Sequence, residues 1–306
     1  MGRVTSLPVI QPASGREGDP PVFEKVAVVG LGLIGGSIAR AVRQRWPRSL
    51  VIGVDRNDVL ERAMALHAVD VGADDLGMVS DADLIVLAAP VEENVSCLAA
   101  LGDVVSREAI VTDVGSTKRT IVEAAARLPA RLAFVGGHPL AGAARSGIDH
   151  GSPEMFAGRP WILTPAGDQQ GASVERLVGF VSGLGARPRL MTAAEHDAVL
   201  ARLSHLPQLA ASALMGVVGD AVGEDGLALA GRGLVDTTRL ASSPASVWTD
   251  ICRTNADEIG EALDAYIAVL TDVRRSLATP EAVAALFDTA ARWRDSLTRE
   301  THRSDT

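Results

Sequence analysis

One imidazole stands out among the side chains that could carry out proton chemistry. His138 lies in the run Gly136-Gly137-His138-Pro139-Leu140-Ala141-Gly142, directly after a predicted strand over residues 132–135. Pro139 disfavours helical backbone at the residue before it, so the pattern predicts His138 on an extended turn. Ligands of open α/β sheets bind beyond the carboxyl ends of the strands. A neutral histidine there can accept a proton from a substrate.

A second polar run follows another predicted strand, over residues 110–112. It reads Asp113-Val114-Gly115-Ser116-Thr117-Lys118. Ser116 could simply cap the helix that comes next, but a capping serine can still direct its hydroxyl toward a ligand or toward His138. Because both runs follow strands, we expect Ser116 and His138 at the same edge of the sheet.

Three glycines precede these runs and predict a dinucleotide site. The pattern Gly30-x-Gly32-x-x-Gly35 lies between a predicted strand over 25–29 and a helix over 33–45, about twenty residues before Asp55. Alone the pattern is a weak signal, but in this context it indicates phosphate bound at a helix N-terminus and a ribose bound by Asp55. Asp55 favours NAD over NADP by repelling a 2′-phosphate, although the adjacent Arg56 could accommodate one. The predicted cofactor-binding residues are Gly30, Gly32, Leu33, Ile34, Gly35, Asp55, Arg56, Ala89 and Pro90.

Further polar side chains lie in the second half of the chain. Ser204, His205 and Gln208 share one arc of a predicted helix, which Pro207 should kink. Arg239 follows a glycine-rich loop, where its guanidinium suits a carboxylate substrate, although a surface ion pair would also explain it. For His196 we favour a plain polar face against the other domain.

The elements that must position these residues fall into two groups. Up to residue 191, predicted strands alternate with helices, which indicates a Rossmann-type, mostly parallel sheet. A capping box at Thr192-Ala193-Ala194-Glu195 then opens a region with helical periodicity only. We therefore divide the chain into a disordered N-terminal extension (1–24), a dinucleotide-binding domain (25–191), an all-helical dimerisation and substrate domain (192–300) and a tail (301–306).

Composition limits the partners that this chain of 306 residues could have. A formal net charge of −9 argues against nucleic acid or an anionic membrane. The two cysteines, Cys97 and Cys252, predict free thiols and a reduced, cytoplasmic compartment. We expect no membrane span, no signal peptide and no metal site.

The motifs taken together resemble the prephenate/arogenate dehydrogenase family of tyrosine biosynthesis. The resemblance rests on residues 30–36, 113–118, 136–142, 204–208 and 236–239 in that order. It implies a homodimer with its active site between a Rossmann-type and a helical domain. It also implies that His138 accepts the proton of the substrate's ring hydroxyl while NAD⁺ takes a hydride. Ser116 would assist His138, Arg239 would bind a carboxylate, and prephenate would yield 4-hydroxyphenylpyruvate.

Three positions depart from the family pattern and leave the substrate open. Gln208 stands where a second, substrate-facing histidine is common, Ala144 where an acid is common, and Val235 where an arginine is common. Arogenate or an amino-substituted prephenate analogue is therefore an alternative substrate. A 3-hydroxyacid dehydrogenase is disfavoured because no lysine follows Lys118, and Ser116, His138 and Arg239 argue against a non-catalytic NAD sensor.

Overall fold

The first half of the protein is built on one eight-stranded sheet. The computed structural model describes residues 20–142, 146–166 and 171–304, so the predicted extension up to residue 19 and the position of Ala144 lie outside the described residues. The strands are β1 (Lys25–Val29), β2 (Leu50–Val54), β3 (Val71–Ala73), β4 (Leu84–Leu87), β5 (Ala109–Asp113), β6 (Leu132–Pro139), β7 (Pro160–Pro165) and β8 (Arg187–Leu190). Their order is β3-β2-β1-β4-β5-β6-β7-β8. The first six strands follow the 3-2-1-4-5-6 order of dinucleotide-binding sheets, which confirms the predicted Rossmann-type class.

Helices cover both faces of this sheet. They are α1 (Leu33–Arg45), α2 (Asn57–Ala65), α3 (Val91–Val104), α4 (Arg119–Ala125) and α5 (Ala172–Gly183). Neighbouring side chains of a strand point to opposite faces. Val26 and Val28 of β1 accordingly join the core beneath α1 and α5, while Ala27 and Val29 join the core beneath α3 and α4.

The last two strands change the direction of the sheet and extend β6. β7 runs antiparallel to β6, pairing Ile162 with His138 and Trp161 with Pro139, and β8 runs parallel to β7. The prediction of a strand end at residue 135, with His138 on a turn, is therefore wrong. Pro139 does impose an extended backbone on His138, but that backbone belongs to β6 and is paired with β7. Pro139 is the last residue of β6, whereas the strand was predicted to end before it, at residue 135.

The second half is helical, as predicted. Its elements are α6 (Ala193–Leu200), a π-helical turn (Ala201–His205), α7 (Leu206–Leu227), α8 (Arg232–Thr237), a 3₁₀ turn (Arg239–Ser242), α9 (Ala245–Thr254), α10 (Ala256–Ser276) and α11 (Pro280–Ser304). Both hydrogen bonds of the predicted capping box are present at Thr192 and Glu195, worth about 1 kcal/mol to the helix. The expected kink at Pro207 takes the form of the π turn, in which the Leu206 N–H donates to the Ala201 carbonyl.

Much of the apolar surface of this helical half is uncovered in a single chain. The exposed large side chains include Val217, Tyr266, Ile267, Leu270, Phe287 and Trp293. By length and composition alone, one helical stretch of the described residues, Ala193–Leu227, could cross a membrane. Its most apolar 18 residues have a mean hydropathy of 1.2, and 11% of them are buried. This differs from the expectation that no run reaches such a length.

Candidate active site

The loop between β1 and α1 has the shape that binds a dinucleotide phosphate. Gly30 has a φ of +93°, and a Cβ there would lie 2.7 Å from the backbone carbon of Ala88. A Cβ on Gly35 would lie 1.9 Å from the Gly30 carbonyl oxygen, so α1 can approach the strand only with glycine at that position. At Gly32, the N-cap of α1, no neighbouring atom of the described residues lies within 4 Å of such a Cβ. The open space at this helix N-terminus fits a pyrophosphate.

Asp55 lies at the end of β2, beside this loop. One carboxylate oxygen accepts a 2.6 Å hydrogen bond from the Leu31 N–H and the other a 2.7 Å bond from the Arg56 N–H. The Arg56 side chain is 78% exposed and pairs with Asp58. The negative charge is thus fixed at the loop, whereas the positive charge of Arg56 lies outside at the surface.

The backbone after β4, where Ala89 and Pro90 were predicted to touch the cofactor, is held by a buried amide. Asn94 accepts a hydrogen bond from the Ala89 N–H (3.1 Å) and donates one to the Ala89 carbonyl (2.8 Å). The next N–H group, that of Val91 at the start of α3, donates to Asp250 of α9 at 2.8 Å. The helical half therefore caps a helix of the sheet domain next to the cofactor loop.

A buried ion pair ties the end of β5 to the end of β6. The Lys118 ammonium contacts the carboxylate of Asp113 and donates a 2.8 Å hydrogen bond to the Gly137 carbonyl. Asp113 in turn accepts from the N–H groups of Gly137 (3.0 Å) and Gly115 (2.8 Å). Burial lowers the pKa of Lys118, and the contact with Asp113 opposes that shift. The pair fixes the backbone on both sides of Ser116 and directly before His138.

His138 is linked to the helical half through a second histidine. Its Nδ1 lies 2.8 Å from Nε2 of His196 on α6, and Nδ1 of His196 lies 2.8 Å from Oδ1 of Asp197. Both His196 and Asp197 are fully buried. His196 therefore lies against the other domain, as predicted, and its ring contacts the candidate base there, which the sequence did not indicate.

Burial and nearby positive charge keep the His138 ring neutral. Desolvation lowers the pKa of His138 well below its ordinary value, and the neighbouring His196, Lys118 and His205 lower it further. Burial also lowers the pKa of His196, against the effect of Asp197, and lowers the pKa of His205 to about 4. A neutral imidazole is the form that can accept a proton.

His138 opens onto a cavity of about 1000 Å³ between the sheet edge and the first helical turns of the second half. Two positive side chains line it, Arg159 and Arg189, and Nη1 of Arg189 is buried without a hydrogen-bond partner among the described residues. A carboxylate, Glu154, lines it as well. An unpaired buried donor costs free energy that a bound anion would offset. The apolar part of the lining includes Leu140, Ile162, Met191, Val199, Leu200 and Leu203.

Only some of the predicted residues meet at this cavity. Ser204 lines it together with His138, whereas Ser116, His205, Gln208 and Arg239 are not among its described lining residues. Ser116 is half-buried in the loop after β5, and Arg239 is exposed on the 3₁₀ turn.

The other two predicted residues make contacts within the helical half. His205 is buried, with its ring edge-on to Trp248. The amide of Gln208 donates to the Leu240 carbonyl at 2.7 Å and accepts from Ser243 at 3.2 Å. Gln208 therefore fastens the turn that carries Arg239, which differs from the substrate-facing position expected for it.

Comparison with known proteins matches most of the chain to one family. Residues 38–190 match the family model "Prephenate dehydrogenase, nucleotide-binding domain", and residues 192–289 match "Prephenate dehydrogenase, dimerization domain". A prephenate dehydrogenase of Bacillus subtilis is 35% identical over 284 residues, which cover 90% of this chain and 76% of that protein.

Two solved structures share the fold over nearly their whole length. The arogenate dehydrogenase of Synechocystis is 32% identical with a TM-score of 0.77, covering 89% of this chain and 99% of its own. The prephenate dehydrogenase of Aquifex aeolicus, solved with hydroxyphenyl propionate and NAD⁺, is 27% identical with a TM-score of 0.82. That match covers 90% of this chain and 98% of the Aquifex chain. Relatives named for either substrate thus have this architecture.

Proposed function

This chain belongs to the prephenate dehydrogenase family of oxidoreductases, and from that premise we propose that it converts prephenate to 4-hydroxyphenylpyruvate with NAD⁺ as hydride acceptor. The observation that carries the proposal is the His138 imidazole. Its Nδ1 is taken up by His196, which leaves Nε2 as the nitrogen available to a ligand in the cavity. The reaction needs such a base, because the ring hydroxyl loses its proton as hydride leaves the same carbon.

The residues around His138 would divide the remaining tasks. Nε2 of His138 accepts the hydroxyl proton, and Ser116 hydrogen-bonds the same oxygen or holds the His138 ring. A bound nicotinamide supplies the hydride acceptor. The ring carboxylate departs as CO₂, and the electron pair of the broken C–C bond makes the ring aromatic, which renders the step essentially irreversible. The phenolate oxygen then takes the proton back from His138, so the base ends neutral.

Charge in the cavity supports a substrate that carries carboxylates. Arg159 and Arg189 line it, and a guanidinium pairs well with a carboxylate. Arg239 stays a prediction as a second carboxylate ligand. Its turn is anchored by Gln208 on the helical half, and its side chain is exposed.

Arogenate is the second candidate substrate, favoured by Glu154. This carboxylate lines the cavity, and its hydrogen bond from Ser152 lowers its pKa, so it is ionised at neutral pH and could pair with the amino group of arogenate. The neutral Gln208 makes no such contribution, and its amide is already engaged. Both substrates carry two carboxylates, so the two arginines suit either; we rank prephenate first because the Bacillus subtilis relative is a prephenate dehydrogenase. An amino-substituted prephenate analogue would fit the same second candidate.

For the cofactor we propose NAD in preference to NADP. The Asp55 carboxylate beside the phosphate loop would repel a 2′-phosphate, while the Arg56 side chain extends toward solvent and Asp58. We further propose that two copies associate through the helical half, which matches the family's dimerization domain. A cytoplasmic location and the lack of nucleic-acid or membrane partners remain predictions.

A purified-enzyme assay tests the activity directly. Prephenate and arogenate are each offered with NAD⁺ and with NADP⁺, and the absorbance of the reduced nicotinamide is followed, with His138→Asn as the matched blank. We expect prephenate with NAD⁺ to give the highest kcat/KM. A higher value with arogenate would move the assignment to that substrate, and no turnover with any pair would contradict the proposal.

A further inference from the structure

His138, His196 and Asp197 form a chain of hydrogen bonds, and the Asp197 carboxylate determines which atom donates in each bond. Oδ1 of Asp197 accepts from the Lys118 N–H at 2.7 Å, and Oδ2 accepts from the Arg119 N–H at 2.9 Å and from its Nε at 3.2 Å. Burial alone would raise the pKa of Asp197, but its hydrogen bonds from His196, Arg119 and Lys118 outweigh that effect and lower it. Asp197 is therefore ionised and can only accept hydrogen bonds.

An acceptor at Asp197 determines which nitrogen of each ring carries a proton. Nδ1 of His196 must carry the hydrogen that it shares with Asp197. Because burial keeps His196 neutral, its Nε2 has no hydrogen and must accept one from Nδ1 of His138. His138 is neutral too, so its single proton lies on Nδ1. The remaining nitrogen, Nε2, then has a free lone pair.

We propose that His196 and Asp197 are positioning residues that hold His138 in the tautomer whose Nε2 can accept the substrate proton. The proposal rests on the proposed function only for the identity of that substrate. When Nε2 takes the hydroxyl proton, no other covalent bond of the three side chains changes. The new imidazolium keeps its Nδ1–H bond to His196 and is stabilised by the carboxylate at the far end.

The positioning residues and the base lie on different domains. His138 belongs to β6, whereas His196 and Asp197 lie on α6, the first helix of the second half. Asn255 at the start of α10 holds this corner by donating to the Asp197 carbonyl at 2.9 Å and accepting from Arg119 at 2.8 Å. The base is therefore in its active tautomer only while the helical half is docked on the sheet.

Two substitutions of His196 test whether its role is to accept a hydrogen bond or only to fill space. The side-chain oxygen in His196→Gln can take the place of Nε2 and accept from His138, whereas His196→Met fills similar space without a strong acceptor. We expect His196→Gln to keep kcat within about tenfold of the wild type and His196→Met to lower it on the order of 100-fold, with KM and the NAD⁺ Kd nearly unchanged. Equal kcat values for the two variants would overturn the proposal.

Asp197→Asn should reverse the tautomers while conserving shape. At the Oδ2 position the new amide NH₂ would oppose two donors, both from Arg119. At the Oδ1 position it would oppose the Lys118 N–H and the Nδ1–H of His196, and the histidine can remove its hydrogen from Nδ1 by changing tautomer. The amide therefore turns its NH₂ toward His196, whose Nδ1 must then accept and whose Nε2–H must donate to His138. The His138 proton moves to Nε2, and kcat should fall by on the order of 100- to 1000-fold at every pH.

Nitrogen NMR of ¹⁵N-histidine-labelled protein reads the tautomer without any turnover. The chain has six histidines, and spectra of His138→Asn and His196→Gln identify the two signals that matter. We expect the His138 proton on Nδ1 in the wild type and on Nε2 in Asp197→Asn. A wild-type proton on Nε2 would overturn the proposal even if prephenate is turned over. Conversely, Nδ1–H in an enzyme that turns over neither substrate would contradict the proposed function alone.

Discussion

The His138 imidazole has two different sides. Nδ1 contacts Nε2 of the fully buried His196, and the ring also lines the cavity. Burial, together with the neighbouring His196, Lys118 and His205, lowers the pKa of His138 and disfavours a resting imidazolium. His138 thus combines a fixed orientation with a low affinity for protons in the free enzyme, and a base of that kind stays available in mildly acidic solution.

The pH dependence of the reaction follows from this environment. The groups that face His138 are His196 and Asp197 from α6, His205 from the π turn, and Lys118 with its partner Asp113. Because burial and the neighbouring His196, Lys118 and His205 lower its pKa, His138 stays neutral as the pH falls through the ordinary imidazole value of about 6.5. We expect kcat/KM to decline only below that value, as measured across pH 4–8 in constant ionic strength.

His138→Asn supplies the control for this profile. It should lower kcat by on the order of 10²–10⁴-fold while leaving the NAD⁺ Kd close to that of the wild type, because the glycine loop lies on a different strand. A decline centred at or above 6.5 would contradict the assignment of His138 as the titrating base. Full activity in His138→Asn would do the same.

The elements that bring these side chains together are the ends of parallel strands and one helix N-terminus. β1 and α1 shape the phosphate loop, β5 and β6 are tied by Lys118 and Asp113, and α6 brings His196 to the sheet edge. Within the phosphate loop the glycines have separate tasks. Gly35 permits packing inside the protein, whereas Gly32 faces open space.

Alanine at Gly35 should therefore lower the stability of the protein, whereas alanine at Gly32 should weaken the binding of NAD⁺. Gly35→Ala places a methyl against the Gly30 carbonyl and should lower the free energy of unfolding by about 1–3 kcal/mol. Gly32→Ala meets no protein atom and has an ordinary φ of −69°, so Tm should stay near that of the wild type while the NAD⁺ Kd rises at least tenfold. Thermal unfolding and calorimetric titration distinguish the two. Loss of Tm without loss of affinity in Gly32→Ala would contradict the phosphate-site assignment.

Periodicity and motif spacing predicted most of these elements but missed those that depend on tertiary pairing. The strand over 25–29 and helix over 33–45 are found at the predicted residues because their apolar patterns and glycine loop are local signals. β3 and β8 were not predicted, since Val-Gly-Ala and Arg-Pro-Arg-Leu carry little strand character without their neighbours. His196 lies 58 residues from His138, and no local pattern indicates that their rings meet.

At the scale of the whole molecule, the sheet domain has two large cores and the helical half has almost none of its own. Its buried cluster comprises Ala201, Ile251 and Ile259 with a few partly buried neighbours. Exposed apolar side chains instead follow α7, α10 and α11. We infer that this extensive apolar surface is an interface between two copies, in agreement with the family description of this region as a dimerization domain.

Association of two chains should accordingly be detectable in the molecular mass and in the thermal stability of the protein. We expect light scattering after gel filtration to give twice the 31.8 kDa chain mass, and Tm to rise with protein concentration by mass action. Ile267→Glu on α10, 56% exposed in the single chain, should shift the protein to monomer. Met78→Glu, at a 43% exposed site of the sheet domain, is the matched control and should leave the dimer intact. A monomeric wild type would contradict the proposed interface.

The π turn between α6 and α7 imposes a constraint of length rather than of residue type. It accommodates one more residue than an α-helical turn, between His196 on one side and Pro207 on the other. Inserting a further residue would leave no bulge to absorb it and would rotate all later helices by about 100° about the α6 axis. Deleting one, such as Leu203, which is 74% exposed, would instead close the turn into regular helix and redistribute its side chains, His205 among them. Substitutions there can be tolerated one at a time, whereas changes of length move side chains of the turn or of the later helices. Relatives that retain the activity should therefore align without gaps between His196 and Pro207, even where the residue types differ.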